Sequence, residues 1–395
     1  MHEAPSGHAI ANRVGAPAPV SPTPIPILSS GLLSPSPQRD SLGNSSGNGI
    51  ASIDSSSLAT MLRPMLEAEL ERATGERVDE LVFFRTEWQR GGAATGRART
   101  ARHDLVVKLP VNDAELRWFR RLGAEDPDER QPVARLIASG EHLGGFDLAW
   151  IALERLPRGP VLRDLNGSGI QRLAEASARF SLAAAAFEVD RDPTIEDWNA
   201  LLHTAIDAVR DRRLDHRQVW NQLLKQVVRD VEPLATLWDH REPIEWIHGD
   251  LHPGNGLLRS AEPNAPIILI DLANVRAGHW LEDAIYLERL LWTRADLLKS
   301  GRPLRVIAEA RRAVGLSLGP DWDRLARARR ILLAATAPAF LRSEGSPSFL
   351  AACIGQLERN LREIGPLKGS RAASSGTPPA DSRKRAAPKP ESDPT

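Results

Sequence analysis

The chain has 395 residues, of which 42% are hydrophobic and 26% charged, the balance of a globular protein with a large core. Lys plus Arg equals Asp plus Glu, so the formal net charge is zero and no global field exists to attract nucleic acid or an acidic membrane; neither is an expected partner. A single cysteine, Cys353, excludes an internal disulfide and a cysteine-based zinc site, and no apolar run is long enough to span a bilayer.

The N-terminus, MHEAPSGHAIANRVG, lacks the charged start and apolar core of a secretory leader, so a cytoplasmic location is expected. Residues 1–55 are rich in Pro, Ser, Gly and Asn without a period, and are expected to be a disordered tail. A helical pattern, LATMLRPMLEAELERATG, closes at Gly75 as its C-cap. LVFFRTEW, LVVKL and WIALERL read as strands, with a helix-like stretch, NDAELRWFRRLG, between the last two. From Leu162 onward the spacing turns helical, through IQRLAEASARFSLAAAAF, WNALLHTAIDAVRDRRL and VWNQLLKQVVRDVEPLATLW. A strand-rich island from Ile244 to Leu272 interrupts the helices, which resume to about Gly365. Residues 366–395 form a second tail, in which Arg383, Lys384 and Arg385 read as a solvated basic run. The expected fold is α+β in two lobes, a sheet-rich one over 56–156 and a mainly helical one over 157–365. Nothing in the sequence sets an oligomeric state.

The island reads IEWIHGDLHPGNGLLRSAEPNAPIILIDL. WIH ends one strand, and a hairpin joins the short strand GLLR to the buried-type strand IILID. His248, Asp250 and Asn255 therefore follow one strand and Asp271 ends another, so their side chains can converge. Phosphoryl transfer needs an acceptor hydroxyl held in line and metal ions to neutralise the phosphate oxygens. Mg²⁺ prefers carboxylate and amide oxygens, which Asp271 and Asn255 supply. Asp250 is left to take the acceptor proton, and an ordinary carboxyl is ionised at neutral pH.

His248-Gly249-Asp250-Leu251-His252-Pro253-Gly254-Asn255 resembles the catalytic loop of the aminoglycoside and choline kinase-like phosphotransferases, with the kinase spacing His-x-Asp-x-x-x-x-Asn. The resemblance, over about Leu58 to Gly365, implies a protein-kinase-like fold, ATP or GTP as donor, Mg²⁺, and a small-molecule hydroxyl as acceptor. It implies Asp250 and His248 in the catalytic loop, Asp271 and Asn255 as metal ligands, and Asp283 as the group that steadies the loop. Upstream, Lys108 ends the strand LVVKL and could reach the donor phosphates, while Glu115 resembles the acid that fixes this lysine. Gly91 and Gly92 fall where a phosphate-covering loop is expected, although the G-x-G-x-x-G spacing is missing and a plain hairpin turn explains them equally. Glu154, Arg155 and Leu156 would form the hinge that holds the nucleotide base through backbone groups.

Many relatives carry a second acid where this chain has Ala273, so Asn274 is an alternative oxygen donor. Asp283, Glu288 and Trp292 are expected on one helix with an ordinary charged face, or with Glu288 facing the acceptor. Two rival chemistries remain. A protein kinase is disfavoured by Gly249 in place of the usual Arg and by the short stretch after Asp271. A metal-dependent hydrolase would use His248, Asp250 and His252. Arginine-rich late helices, such as WDRLARARRILLAATAPAFLRSEG, favour a sugar, amino alcohol or other hydroxyl metabolite over a polycationic acceptor.

Overall fold

Residues 55–84, 93–124, 131–212, 214–262 and 264–367 are described by the computed structural model; the expected tails, apart from Ser55, Pro366 and Leu367, and Gly91 and Gly92 lie outside them. Helix α1 (Ser55–Thr74) leads into strands β1 (Glu80–Phe84), β2 (Ala94–Arg99) and β3 (Asp104–Leu109), helix α2 (Asp113–Leu122), and strands β4 (Leu136–Gly140) and β5 (Trp150–Glu154). Helices α3 (Gly167–Ala184), α4 (Trp198–Asp211) and α5 (Arg217–Asp239) follow. Next come β6 (Glu245–Ile247), β7 (Gly256–Leu258), β8 (Ile267–Leu269) and β9 (Arg276–Gly278). Helices α6 (Leu281–Leu290), α7 (Ala295–Gly301), α8 (Pro303–Ala313), α9 (Trp322–Thr336), α10 (Leu341–Glu344) and α11 (Pro347–Glu363) complete the order. No helix among the described residues is long and apolar enough to cross a membrane.

The chain divides into two compact units, one of Met1–Thr194 with Ile244–Leu318, the other of Ile195–Pro243 with Gly319–Thr395. In the first, a five-stranded antiparallel sheet runs in the order β1-β2-β3-β5-β4. Its core forms where Leu62, Leu66 and Leu70, one helical turn apart on α1, meet Leu105, Val107 and Leu109 of β3. Because side chains alternate along a strand, this burial sends Lys108 to the opposite face. The position of the lysine is thus set by the apolar residues on either side of it.

Strand β2 was not expected, because the reading of this stretch stopped at its glycines. Ala94, Gly96 and Ala98 alternate inward with Thr95, Arg97 and Arg99 between them, a period-two pattern written in small residues. Smallness is required: a Cβ at Gly96 would lie 3.0 Å from the side chains of both Phe83 and Val107.

The catalytic-loop segment is carried by two short pairs, β6 with β9 and β7 with β8, the second being the expected hairpin. Helices α3 and α8 pack together beside β6, where Arg311 on α8 clamps Glu245 at the start of β6. Its Nη1 and Nη2 donate to the two carboxylate oxygens at 2.7 and 2.8 Å, Nη2 also donates to the Ser317 carbonyl at 3.0 Å, and the guanidinium lies 5.3 Å from the Trp280 ring centroid. Burial pushes the Glu245 carboxyl up and the Arg311 charge opposes it.

In the second unit, α9 packs against α4, α5 and α11. The Arg329 guanidinium stacks between Trp198 and Trp238, 5.0 and 4.7 Å from their centroids, and pairs with buried Glu196. Arg327 pairs with Asp323 and reaches Glu363 at 3.5 Å. Arg327 and Arg329 therefore answer acids of their own unit, while Arg324 donates to the Pro366 carbonyl at 2.6 Å.

Arg311→Met is expected to leave the Glu245 carboxylate buried without its counter-charge, lowering unfolding stability by about 3 kcal/mol in urea titration. A change below about 0.5 kcal/mol would show that the clamp does not anchor β6.

Candidate active site

The site is built within the first unit from β3, α2, the loop after β6 and the turn after β8. Lys108 Nζ donates to Glu115 Oε1 at 2.8 Å and to Asp271 Oδ1 at 3.0 Å. Glu115 reaches it because Asn112 caps α2: the Asn112 Oδ1 accepts the Glu115 N–H at 2.8 Å, so the helix starts with Glu115 in its first turn. Burial alone would lower the Lys108 ammonium, but the Asp271 and Glu115 charges outweigh it and raise the group above its ordinary value. Burial pushes Glu115 up, Lys108 pulls it down and the Asp271 charge pushes it up again. Two carboxylates thus compete for one ammonium, an arrangement that a second cation would relieve.

Asp271 stands at φ 60 and ψ 69, the left-handed region that a non-glycine residue occupies only when its surroundings hold it there. The next three residues, Leu272–Asn274, form a single 3₁₀ turn, and Asn112 Nδ2 donates to the Ala273 carbonyl at 3.0 Å.

In the loop after β6, Asp283 on α6 accepts the His248 N–H at 2.8 Å with Oδ2 and the Gly249 N–H at 2.9 Å with Oδ1. Gly249 has φ +77, and a Cβ there would collide with the Asn274 carbonyl oxygen. The glycine that distinguishes this loop from the protein-kinase Arg is therefore required by close backbone contact with the Asp271 turn. The His248 Nδ1 accepts the Asp250 N–H at 3.3 Å, which leaves Nε2 to donate to the Ile270 carbonyl at 3.1 Å. Burial holds this imidazole below its ordinary value, so it is a neutral ring with both nitrogens on backbone.

Asn255 Nδ2 donates to the Asp250 carbonyl at 3.0 Å and to Asp250 Oδ2 at 3.2 Å. The amide nitrogen being committed, the atom Asn255 has left to offer is its oxygen. Asp250 is 3% exposed, and its Oδ1 is buried without a hydrogen-bond partner. Burial would raise this carboxyl; His252 and the Tyr286 hydroxyl outweigh it and keep it below its ordinary value. It is an anion with one oxygen unused.

Other expected residues fall as follows. The Glu154 carboxylate accepts from Arg259 Nη2 at 2.6 Å and from the Arg135 N–H at 2.9 Å, while the Glu154 and Arg155 N–H groups donate to the Arg135 and Asp104 carbonyls, each at 2.9 Å. Leu156 is buried beside them. The His248, Asp250 and His252 metal set is not formed: both His248 nitrogens are occupied, His252 Nε2 stands 3.7 Å from Asp250 Oδ2, and no group of three His, Cys, Asp or Glu suited to a metal occurs among the described residues. The expectation of a charged, partly exposed helix is corrected too. Nearly all of α6 is buried, Glu288 included, and Trp292 lies beyond its end, where its Nε1 donates to Glu288 Oε1 at 3.4 Å. Sequence reading missed Asn112 and Tyr286. The first carried a signal in Asn-x-x-Glu, a helix-start pattern; the second carried none.

The model of a family described as the phosphotransferase enzyme family matches residues 73–337. No curated protein matches the sequence. One similar solved structure is a thermostable mutant of aminoglycoside phosphotransferase APH(4)-Ia with ADP and hygromycin B, 17% identical over 76% of this chain and 99% of that one, with a TM-score of 0.45. Another, an aminoglycoside phosphotransferase from Alicyclobacillus acidocaldarius, is 18% identical over 68% of this chain and 86% of its own, with a TM-score of 0.46. A third, the GDP complex of aminoglycoside 2'-phosphotransferase-IIIa, is 13% identical over 75% and 97%, with a TM-score of 0.44.

Gly249→Ala is expected to cost at least about 2 kcal/mol of stability, through strained φ and collision with Asn274; a variant as stable as wild type in urea would contradict the close contact. Asp283 gives a pH signature. Burial pushes it from 3.8 up to about 7, against the pull of Arg276 and the two backbone donors. A carboxyl raised on folding favours the native state fully below its unfolded value, and this contribution fades as pH rises through about 7. Asp283→Asn should be less stable throughout, yet lose less between pH 5 and 8 than wild type does; parallel pH profiles would contradict the assignment.

Proposed function

This chain belongs to the phosphotransferase enzyme family, and from its site we propose that it transfers the γ-phosphoryl group of ATP or GTP to a hydroxyl of a small molecule. The observation that carries this reading is the Asp250 carboxyl, held below its ordinary value with Oδ1 unpartnered, in the same unit as a lysine held by Glu115 and Asp271. Lys108 binds the α- and β-phosphates of the donor, and Glu115 keeps it in place as Asp271 gives it up. Asp271 and Asn255 fit Mg²⁺, since both have hard oxygens to offer, and they would hold it; when bound, it supplies neutralisation of the phosphate oxygens. Asp250 Oδ1 accepts the proton of the acceptor hydroxyl. The hydroxyl oxygen bonds to the γ-phosphorus as the bond from that phosphorus to the bridging oxygen breaks, and the nucleoside diphosphate leaves. His248 serves this step as a neutral brace that orients the Asp250 backbone.

A small acceptor, rather than a protein, is supported by the short path from Asp271 to α6, which holds one 3₁₀ turn and β9. It is also supported by Gly249, which stands where an Arg would pair with an activation-segment phosphate. Sugars, amino alcohols and aminoglycosides are the acceptor classes to screen. Of the expected hinge residues, Glu154 and Arg155 have their N–H groups committed within the protein, so Leu156 carries the proposal of a base-binding edge. A nucleotide donor agrees with a cytoplasmic location.

The test is transfer of label from γ-labelled ATP and GTP to a panel of such hydroxyl compounds. On the compound that turns over, Asp250→Asn should retain nucleotide affinity and lose at least about a hundredfold in kcat. Near-normal turnover would remove Asp250 from the role of base. Asp271→Ala should abolish the dependence of nucleotide binding on Mg²⁺, read as the difference in melting temperature with and without the ion. A retained dependence would move the metal elsewhere.

A further inference from the structure

Both ends of the Asn112 side-chain amide are occupied, one by each of the segments that deliver the acids of the lysine triad. Its Oδ1 accepts the N–H of Glu115, and its Nδ2 donates to the carbonyl of Ala273, 161 residues away in sequence. The first bond fixes the helix that delivers Glu115. The second fixes the turn that delivers Asp271, two residues before Ala273. That turn needs holding, because Asp271 lies in the left-handed region and the next carbonyl, Asn274, abuts Gly249 of the catalytic loop. At the Ala273 position it is the backbone, not the side chain, that makes this link. Glu115 occupies the helix position from which an acid usually reaches back to its cap; here it reaches Lys108 instead, so the cap is left to Asn112 alone.

We propose that Asn112 is a positioning residue that clamps α2 to the Asp271 turn, so that Glu115, Lys108 and Asp271 stay within reach of one another when a metal–nucleotide enters. The inference rests on the phosphotransferase reading. It goes beyond helix capping, and the two roles separate chemically. Asp and Ser both cap helices about as well as Asn, but Asp has no side-chain donor and Ser is too short to span to Ala273. Asn112→Ser controls for the charge that Asn112→Asp adds.

The experiment is calorimetric titration of wild type, Asn112→Ser and Asn112→Asp with Mg-ATP and Mg-GTP, beside the melting temperature without nucleotide. Both variants should melt within about 2 °C of wild type, because the cap survives. Both should bind the preferred nucleotide about fivefold more weakly, the loss of one hydrogen bond. Unchanged affinity in both would reduce Asn112 to a cap. Weakened binding with a large fall in melting temperature would make the effect one of folding and overturn the clamp. If wild type binds neither nucleotide, the phosphotransferase reading itself fails, and the clamp fails with it.

Discussion

One positive charge must satisfy two negative ones. Lys108 is held by Glu115 and Asp271 at ion-pair distance, each acid coming from a different element. Burial raises the cost of leaving Glu115 unanswered, whereas Asp271 is half-exposed and open to a ligand. A further cation at the exposed Asp271 would complete the balance, and the frame around the triad holds its three groups in place. Much of the first unit can be understood as that frame. Alternation along β3 aims the lysine, the Asn112 cap aims Glu115, and a strained turn aims Asp271.

The frame continues into the catalytic loop through backbone contacts. Asp283 binds two successive N–H groups, Gly249 lies against the Asn274 carbonyl, and Ile270 donates to the Asn255 carbonyl at 3.0 Å. The loop that presents Asp250 and the turn that presents Asp271 are thus parts of one hydrogen-bonded body. Behind them, Arg311 fixes the start of β6. What remains unused is what chemistry needs: one oxygen of Asp250 and the amide oxygen of Asn255.

The α+β class, most of the helix–strand order and the hairpin were legible because their signals are local: apolar period, turn residues and caps; β4 and β9 were not foreseen. The polar residues of the loop were legible because their spacing is short and their types unusual together. Strand β2 was lost because small inward residues make a weak hydrophobic pattern. The roles of Glu154 and His248 could not be read either, since both depend on partners distant in sequence or on backbone groups, Arg259 and Arg135 for the first and Ile270 for the second. The metal-hydrolase alternative was open on residue types alone and closed by where the His248 nitrogens point. Asn112 was half legible, its cap in the local pattern and its bond to Ala273 only in the fold.

The central claim is that the triad awaits a metal-bound polyphosphate. The most direct measurement is the heat of binding of ATP and of GTP to the intact protein, with Mg²⁺ and with excess chelator. Saturable binding of at least one nucleotide, weakened at least about tenfold by the chelator, is the predicted result. Binding that ignores the metal, or none with either nucleotide, would contradict it.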